Sequence, residues 1–413
     1  MHIHPTKYYS FRGVIVSVNT LYSDPYFSVF PNERIHPNTQ RGLLNAYHCC
    51  GSETTPSAVI FCEANFTKTD GKTANGLIRY SPKFRILSVI DSEKAGLDSG
   101  YALDGEYNGI PIYATLTESI EMAREIPEYF IFGIAPSSGV LSTLDRQVIL
   151  EAIDLGMNIV NGLHEYLNDD PEFIAASRKA GVVILDIRKP RAKRNLQIFS
   201  GIVNHVDCPK VVIMGTDCAI GKRTTATKLV SALRQYGLNV VLVATGQTGV
   251  IQGAPYSLVM DSIPAQFCPG ELEAVIYRAY EVEKPDIIII EGQGALSHPA
   301  FSTSSMIIRG SAPNAVILQH APCRKYRVDF DEMAMPSVAS EIELIELFAH
   351  AKVIGISINH EGMEEKEIDE CIYHYSKEFA IPVTDALKRS SKFLVHMVLR
   401  AFPKLAKQIP ILQ

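Results

Sequence analysis

The chain of 413 residues has no tryptophan, no excess of basic residues and no long uninterrupted apolar run. Its formal net charge is -6 at pH 7, which argues against a nucleic-acid partner bound through a general basic field. No stretch reaches the roughly 18 apolar residues of a membrane-spanning helix, and the N-terminus lacks the apolar core of a signal peptide. We therefore expect no nucleic-acid partner, no membrane partner and a cytoplasmic location.

Cysteine is also sparse, with eight residues scattered along the chain. Their spacing fits neither a disulfide framework nor a zinc site. We interpret them as small side chains of ordinary protein cores.

The length exceeds what one hydrophobic core holds and predicts two or three domains. From Ser57 onward, short apolar runs alternate with helix-compatible segments, which predicts an α/β protein with two doubly wound domains. The predicted divisions are an extension packed on the first domain (1–56), the first domain (57–190), a basic linker (191–206) and the second domain (207–413). Ligands of such sheets bind at the carboxyl ends of the strands.

The second half is organised around residues 210–230, KVVIMGTDCAIGKRTTATKLV. An apolar run typical of a buried parallel strand leads into a glycine turn and then into a helix-compatible segment. Backbone N–H groups at a helix N-terminus lack intrahelical partners and carry the positive end of the helix dipole, so they suit phosphate oxygens. The sequence therefore predicts a P-loop that binds a cofactor through Gly215, Thr216, Asp217, Gly221, Lys222, Arg223, Thr224 and Thr225.

This loop departs twice from the usual G-x-x-x-x-G-K-[ST] pattern. Five residues separate Gly215 from Gly221, and Arg223 directly follows the lysine. Thr224 or Thr225 therefore has to supply the hydroxyl that reaches a magnesium ion. The variant GTDxxxGK resembles the loop of dethiobiotin synthetase and its relatives.

Two acids are candidates for the chemistry at this loop. Glu291 follows four consecutive isoleucines (287–290), and we predict that it holds magnesium together with Thr224, although an acid in this place also serves as a plain turn cap. Three roles are open for Asp217, which are a magnesium ligand, a base and a cap of the following helix. The predicted catalytic residues are Lys222, Glu291 and Asp217.

A small substrate with a carboxylate is expected to contact two further segments. Gln247, Thr248 and Gly249 form an amide-rich turn that suits a carboxylate or an uncharged polar edge. Arg324 or Arg327 is the candidate for an acidic group, because arginine binds carboxylates in bidentate fashion, although a solvated basic run has the same composition.

Other titratable residues remain unranked by the sequence. His298, His320 and His360 lie near predicted strand ends, and any one of them fits a general base or a structural histidine. The segment Gly71-Lys72-Thr73 imitates the tail of a second P-loop but lacks the leading glycine. We interpret it as a helix cap with a solvated lysine.

Taken together, these motifs resemble a family, long known only as a domain of unknown function, that joins a Rossmann-like N-terminal domain to a P-loop NTPase-like C-terminal domain. The resemblance covers about Ser57 to Ala401 and is carried by four motifs: GTDCAIGKRTT (215–225), QTG (247–249), EGQG (291–294) and GKT with GLIRY (71–73 and 76–80).

Members of that family have been assigned as D-glutamate N-acetyltransferases. The resemblance implies acetyl transfer from acetyl-CoA to the amine of a D-amino acid, with the P-loop on the phosphates of CoA or of ATP. It also implies that Arg324 or Arg327 takes the substrate carboxylate.

Two alternatives stay open from the residues alone. One is an ATP-dependent ligase or kinase resembling dethiobiotin synthetase, which uses Mg-ATP, and the other is a nucleotide-binding regulator without turnover. A symmetric homo-oligomer is the default expectation for an enzyme of this size.

Overall fold

We analysed a computed structural model of the chain, which describes residues 8–11, 14–17, 55–136 and 139–409. Strands β1 (Tyr8–Phe11) and β2 (Val14–Ser17) pair as an antiparallel hairpin. The predicted packing of residues 1–56 on the first domain otherwise lies outside the described residues.

The first domain is a six-stranded parallel sheet in the order β5-β4-β3-β6-β7-β8. Its strands are β3 (Ser57–Phe61), β4 (Arg85–Ile90), β5 (Ile112–Tyr113), β6 (Tyr129–Phe132), β7 (Asn158–Asn161) and β8 (Ile184–Asp186). Its helices are α1 (Lys72–Arg79), α2 (Ser99–Asp104), α3 (Leu116–Ala123), α4 (Thr143–Asp154) and α5 (Pro171–Ala180).

The second domain is a seven-stranded parallel sheet in the order β11-β10-β12-β9-β13-β16-β17. Its strands are β9 (Lys210–Gly215), β10 (Val240–Ala244), β11 (Tyr256–Ser257), β12 (Ile287–Glu291), β13 (Ala315–His320), β16 (Lys352–Ile358) and β17 (Val383–Asp385), and a hairpin of β14 (Tyr326–Arg327) and β15 (Phe330–Ala334) lies outside it. Its helices are α6 (Lys222–Gln235), α7 (Gln247–Ile251), α8 (Cys268–Glu283), α9 (Thr303–Ser311), α10 (Val338–Ala349), α11 (Glu365–Phe379), α12 (Lys392–Ala401) and α13 (Pro403–Ala406).

The apolar run of β9 follows from burial on both faces of its sheet. Val211 and Ile213 pack into the core on the α6 and α12 side, whereas Val212 and Met214 pack into the core on the α8 and α9 side. Because successive side chains of a strand point to opposite faces, a strand covered by helices on both sides must be apolar at every position. The predicted α/β class with two doubly wound domains is confirmed.

Three segments of the second domain have local features that bear on its shape. Helix α12 ends before Pro403, which has no N–H and clashes with a preceding helical turn. The turn expected at 247–249 is the start of the short helix α7. The cationic run 321–327 leads into the β14–β15 hairpin.

The predicted linker is held firmly against α8. Its backbone approaches so closely that a Cβ on Gly270 would lie 2.4 Å from the Gln197 carbonyl oxygen. Glu271 accepts a hydrogen bond from Gln197 N at 2.5 Å and pairs with Arg191. Glu273 accepts from Ser200 N and Oγ. Two buried carboxylates on one helix therefore fix the path between the domains.

Every helix in the described ranges is too short or too polar to cross a lipid bilayer.

We expect Glu273→Ala to lower the free energy of unfolding by roughly 2 to 4 kcal/mol. The Glu273 carboxylate is buried, and its removal leaves the backbone and side-chain donors of Ser200 in the linker without their acceptor. Chemical denaturation measures this change. Glu281→Ala on the same helix is the control, because the Glu281 carboxylate pairs with the exposed Lys284 at the surface, and its loss should cost less than about 1 kcal/mol. Equal effects of the two substitutions would contradict the anchoring role.

Candidate functional site

The P-loop joins β9 to α6 at the carboxyl edge of the sheet. Ala219 and Gly221 adopt positive φ angles of 49° and 103°, and Gly221 precedes the first residue of α6. A Cβ on Gly215 would lie 2.9 Å from Lys222 Cδ, so the lysine stem packs directly on that glycine. These left-handed turns fold the backbone over the helix N-terminus, as an anion cradle requires.

Lys222 is buried inside this loop. Its Nζ donates to the Asp217 carbonyl oxygen, which holds the ammonium group beneath the cradle. Burial lowers the pKa of Lys222, because a desolvated ammonium group is less stable than a hydrated one. An anionic ligand in the cradle would restore the lost charge stabilisation.

Arg324 clamps the outside of the loop. Its Nη1 donates to the Cys218 carbonyl oxygen at 3.0 Å and lies 3.2 Å from Asp217 Oδ2, and its Nη2 lies 2.8 Å from Glu361 Oε2. The guanidinium therefore helps to hold the P-loop conformation, and it also lines the cleft. Its contact with a substrate carboxylate stays a prediction.

Behind the loop lies a buried polar cluster. Asp217 Oδ2 accepts from Val328 N at 2.8 Å, whereas Asp217 Oδ1 stands 3.8 Å from His298 Nε2. Arg327 donates to Ser297 Oγ at 2.9 Å. Asp217 Oδ1, His298 Nε2 and Arg327 Nε have no hydrogen-bond partner within the described part of the chain.

Glu291 ends β12 beside the P-loop strand and is 7% exposed. Its Oε2 accepts from Thr245 N at 3.2 Å and from Arg223 Nη1 at 3.3 Å. The carboxylate is therefore paired with the arginine that follows the P-loop lysine.

The hydroxyl residues of the loop point in different directions. Thr225 Oγ1 donates to Gln319 Oε1 at 2.6 Å, and Thr216 Oγ1 lies 2.9 Å from His320 Nδ1. Thr224 lines the cleft. As arranged, Thr224 and Glu291 do not fit the expected magnesium ion, because the Glu291 carboxylate is already paired with the Arg223 guanidinium.

The opposite wall of the cleft belongs to the first domain. Residues 67–79, which follow β3, face the P-loop across a space of about 780 Å³. Gln247 Nε2 and Thr248 Oγ1 each lie 3.4 Å from Thr73 Oγ1 of α1. A Cβ on Gly76 would lie 2.7 Å from Thr248 Cγ2, so glycine at 76 permits the close approach of α1 to α7.

The side-chain amide of Gln252 connects the first domain to the helix that follows the P-loop. Gln252 Nε2 donates to the carbonyl oxygens of Gly76 at 2.9 Å and Tyr80 at 2.8 Å. Its Oε1 accepts from Arg223 Nη2 at 2.6 Å and Nε at 3.1 Å. The amide thus ties the end of α1 to the first turn of α6.

The structure separates the predicted site residues into two groups. Gly221, Lys222, Arg223, Thr224, Thr225, Gln247, Thr248, Glu291 and Arg324 line the cleft. Gly215, Thr216, Asp217, Gly249 and Arg327 are buried behind that lining.

The three candidate histidines differ in environment. His320 is buried, and burial lowers its pKa to about 4. His298 is buried against Phe301, and burial followed by the nearby Arg327 lowers its pKa. His360 lines the cleft with a side chain 25% exposed, and its Nδ1 lies 2.8 Å from Asp385 Oδ2.

Sequence reasoning missed Asp385 and the bridging role of Gln252. Asp385 ends β17, and its Oδ1 accepts from the backbone of Leu387 and Lys388 at 2.8 Å. The only sequence signal was an acid after the short apolar run at 381–383. The two contacts of Gln252 join distant parts of the chain, so no local pattern revealed them.

The buried His320 predicts a pH dependence of stability. Its folded pKa of about 4 lies below the roughly 6.5 of an unfolded histidine, so below pH 6.5 only the unfolded chain takes up this proton. The free energy of unfolding should fall by up to about 3 kcal/mol between pH 6.5 and 4 from this group. Denaturant titrations of the wild type and His320→Gln over this range isolate the effect, and parallel pH curves for the two proteins would contradict it.

Comparison with known proteins agrees with this architecture. Residues 92–190 match the domain of unknown function DUF1611_N, a Rossmann-like domain, and residues 197–395 match DUF1611_C, a P-loop domain. The crystal structure of a DUF1611 family protein from Anabaena variabilis has a TM-score of 0.77 and 30% identity, and the match covers 84% of this chain and 99% of that one.

Two relatives carry a functional name. A protein of Pseudoalteromonas sp named D-glutamate N-acetyltransferase is 32% identical over 274 residues, which are 65% of this chain and 80% of that protein. A protein of the same name from Tritonibacter scottomollicae is 27% identical over 274 residues, with coverages of 64% and 79%. These matches confirm the expected resemblance: the chain belongs to the DUF1611 family, which joins a Rossmann-like N-terminal domain to a P-loop C-terminal domain.

Proposed function

We propose that this protein is an N-acetyltransferase that moves the acetyl group of acetyl-CoA to the amine of a D-amino acid such as D-glutamate. The observation that carries the proposal is the cleft itself, in which the phosphate cradle of the second domain faces polar and cationic groups of the first domain. The names of the two relatives, at 32% and 27% identity, favour acetyl transfer over other uses of such a cleft.

In this proposal the P-loop binds the pyrophosphate of CoA. The backbone N–H groups at the start of α6 and the Lys222 ammonium group meet the phosphate charge. The remainder of the ligand then extends along a cleft large enough for a small amino acid beside it, since its volume is about 780 Å³.

The acceptor carboxylate needs a cation on the cleft surface. Lys72 fits this need because it lines the cleft, and it has no ion-pair partner among the described residues. Arg324 also lines the cleft, although its donors already contact the loop and Glu361. Both cations are assigned to the acceptor side of the site.

Acetyl transfer also needs a base, because an ammonium group has to lose a proton before its nitrogen attacks the thioester carbonyl. His360 is the candidate histidine that lines the cleft, and Asp385 accepts its Nδ1–H, which leaves Nε2 as the acceptor. The amine nitrogen then bonds to the acetyl carbon, the carbon–sulfur bond of the thioester breaks, and the departing CoA sulfur takes up the proton that the nitrogen loses as the amide forms.

We expect CoA thiol to appear when the protein is mixed with acetyl-CoA and D-glutamate, in amounts that depend on the amino acid. A thiol-reactive dye follows the release over a panel of D- and L-amino acids, with and without Mg-ATP. Lys222→Ala should weaken acetyl-CoA binding by more than the roughly 1 kcal/mol of an exposed charge. If no thiol is released but ADP appears in the Mg-ATP samples, the protein is the ligase or kinase. Tight nucleotide binding without any product would establish the regulator.

His360→Gln should lower kcat about 10²-fold or more while acetyl-CoA affinity changes little, because the base acts on the acceptor amine. Steady-state kinetics at saturating acetyl-CoA measure this change. His374→Gln is the control, since His374 lies on α11 outside the cleft lining. A change confined to acetyl-CoA affinity would show that His360 contacts the cofactor and is no base.

A further inference from the structure

The residue directly after the P-loop lysine is a cation where the usual pattern has a hydroxyl. Arg223 lies in the first turn of α6 and lines the cleft together with Lys222 and Thr224. In P-loop proteins that position and the acid of the neighbouring strand normally share a magnesium ion. Here the two positions contact each other, since Arg223 Nη1 lies 3.3 Å from Glu291 Oε2.

This ion pair is sheltered from water. The side chains of Arg223 and Glu291 are 15% and 9% exposed. Glu291 Oε2 also accepts from Thr245 N at 3.2 Å, which fixes the carboxylate on the side of β10. Charged groups this well buried keep their partners, because separating them leaves an uncompensated charge in a poorly solvated place.

The guanidinium is also fixed from its other side. Gln252 Oε1 accepts two of its N–H groups, and the same amide is held by the carbonyl oxygens of Gly76 and Tyr80. Gly249 packs beneath it, since a Cβ there would lie 2.9 Å from Arg223 Nη1 and 2.4 Å from Ala244 Cβ. Both sides of the interdomain cleft therefore determine where the arginine points.

Arg223 still has donors for a ligand. A guanidinium has five N–H groups, and the contacts with Gln252 and Glu291 use three of them, which leaves two. Two donors in a planar fork match two oxygens of a phosphate.

We propose that Arg223 occupies the place of the P-loop metal ion, so that this site binds a phosphate-bearing ligand without a divalent cation. The inference rests on the phosphate site of the proposed function and not on acetyl transfer. It favours a pyrophosphate diester such as that of CoA over a nucleoside triphosphate, because a triphosphate carries more negative charge and normally arrives with magnesium.

The test compares binding with and without metal. Acetyl-CoA is titrated into the full-length protein by calorimetry, once in EDTA and once in excess Mg²⁺, and ATP is titrated under the same two conditions. The variants are Arg223→Thr, which restores a hydroxyl after the lysine, and Arg223→Lys, which keeps the charge without the fork. Lys228→Thr is the matched control, because it removes one positive charge from an exposed position of the same helix outside the cleft.

For the wild type we expect acetyl-CoA affinities that agree within about twofold in EDTA and in Mg²⁺. Arg223→Thr should bind at least tenfold more weakly in EDTA and recover part of the loss in Mg²⁺, because Glu291 is then available to a metal. The affinity of Arg223→Lys for acetyl-CoA in EDTA should lie between those of the wild type and Arg223→Thr, and the affinity of Lys228→Thr should equal that of the wild type. Circular dichroism of each variant confirms that the fold is retained.

Several outcomes would overturn the inference. The first is a wild-type affinity for acetyl-CoA that is tenfold lower in EDTA than in Mg²⁺. The second is an affinity of Arg223→Thr for acetyl-CoA in EDTA that equals that of the wild type. The third is that the wild type binds neither acetyl-CoA nor ATP. Binding of ATP in EDTA without any binding of acetyl-CoA would keep the inference and refute the acetyl-CoA assignment. The two proposals are thus separable in one set of titrations.

Discussion

Burial of β9 on both of its faces is the constraint on which the site depends. A strand enclosed by two helix layers cannot shift, so the loop at its carboxyl end starts from a fixed point. Arg324 and the positive φ angles at Ala219 and Gly221 then hold the loop from outside and within. The cradle is therefore formed by the protein alone, and binding does not have to supply the entropy cost of ordering it.

Both polar and apolar contacts join the two domains. Ile251 of α7 is buried in the apolar core of the first domain. Gln252 accepts from Arg223 and donates to two carbonyl oxygens at the end of α1, so one side-chain amide contacts both the first turn of α6 and the first domain. Arg188 adds a second connection, since it donates to the Gly162 carbonyl oxygen at 2.6 Å and pairs with Asp261. A relative movement of the domains would have to break such bonds.

The sequence revealed the elements of the site better than their contacts. Apolar runs of four to six residues located the buried strands, and the glycine turn before Lys222 located the cradle, because both depend on short-range patterns. The pairing of Arg223 with Glu291 joins positions 68 residues apart and follows from the order of β12 and β9 in the sheet. Local spacing holds no information about it, and the same applies to the partnership of His360 and Asp385 across β16 and β17. Sequence reasoning therefore located many of the residues that line the cleft, but not which of them pair with each other.

Charge balance in the cleft narrows the kind of ligand that the site accepts. Most cations of its lining already face an acid, and the pairs are Lys68 with Glu93, Arg79 with Asp104, Arg188 with Asp261, Arg223 with Glu291 and Arg324 with Glu361. Lys222 contacts a carbonyl oxygen, and Lys72 has no ion pair among the described residues. The positive charge available to a ligand is therefore small: it comes from Lys72, Lys222 and the helix N-terminus, and the carboxylates of Asp329 and Asp385 in the same lining offset part of it. A diester pyrophosphate suits such a cleft better than a triphosphate does, because the triphosphate brings more negative charge unless a metal ion comes with it.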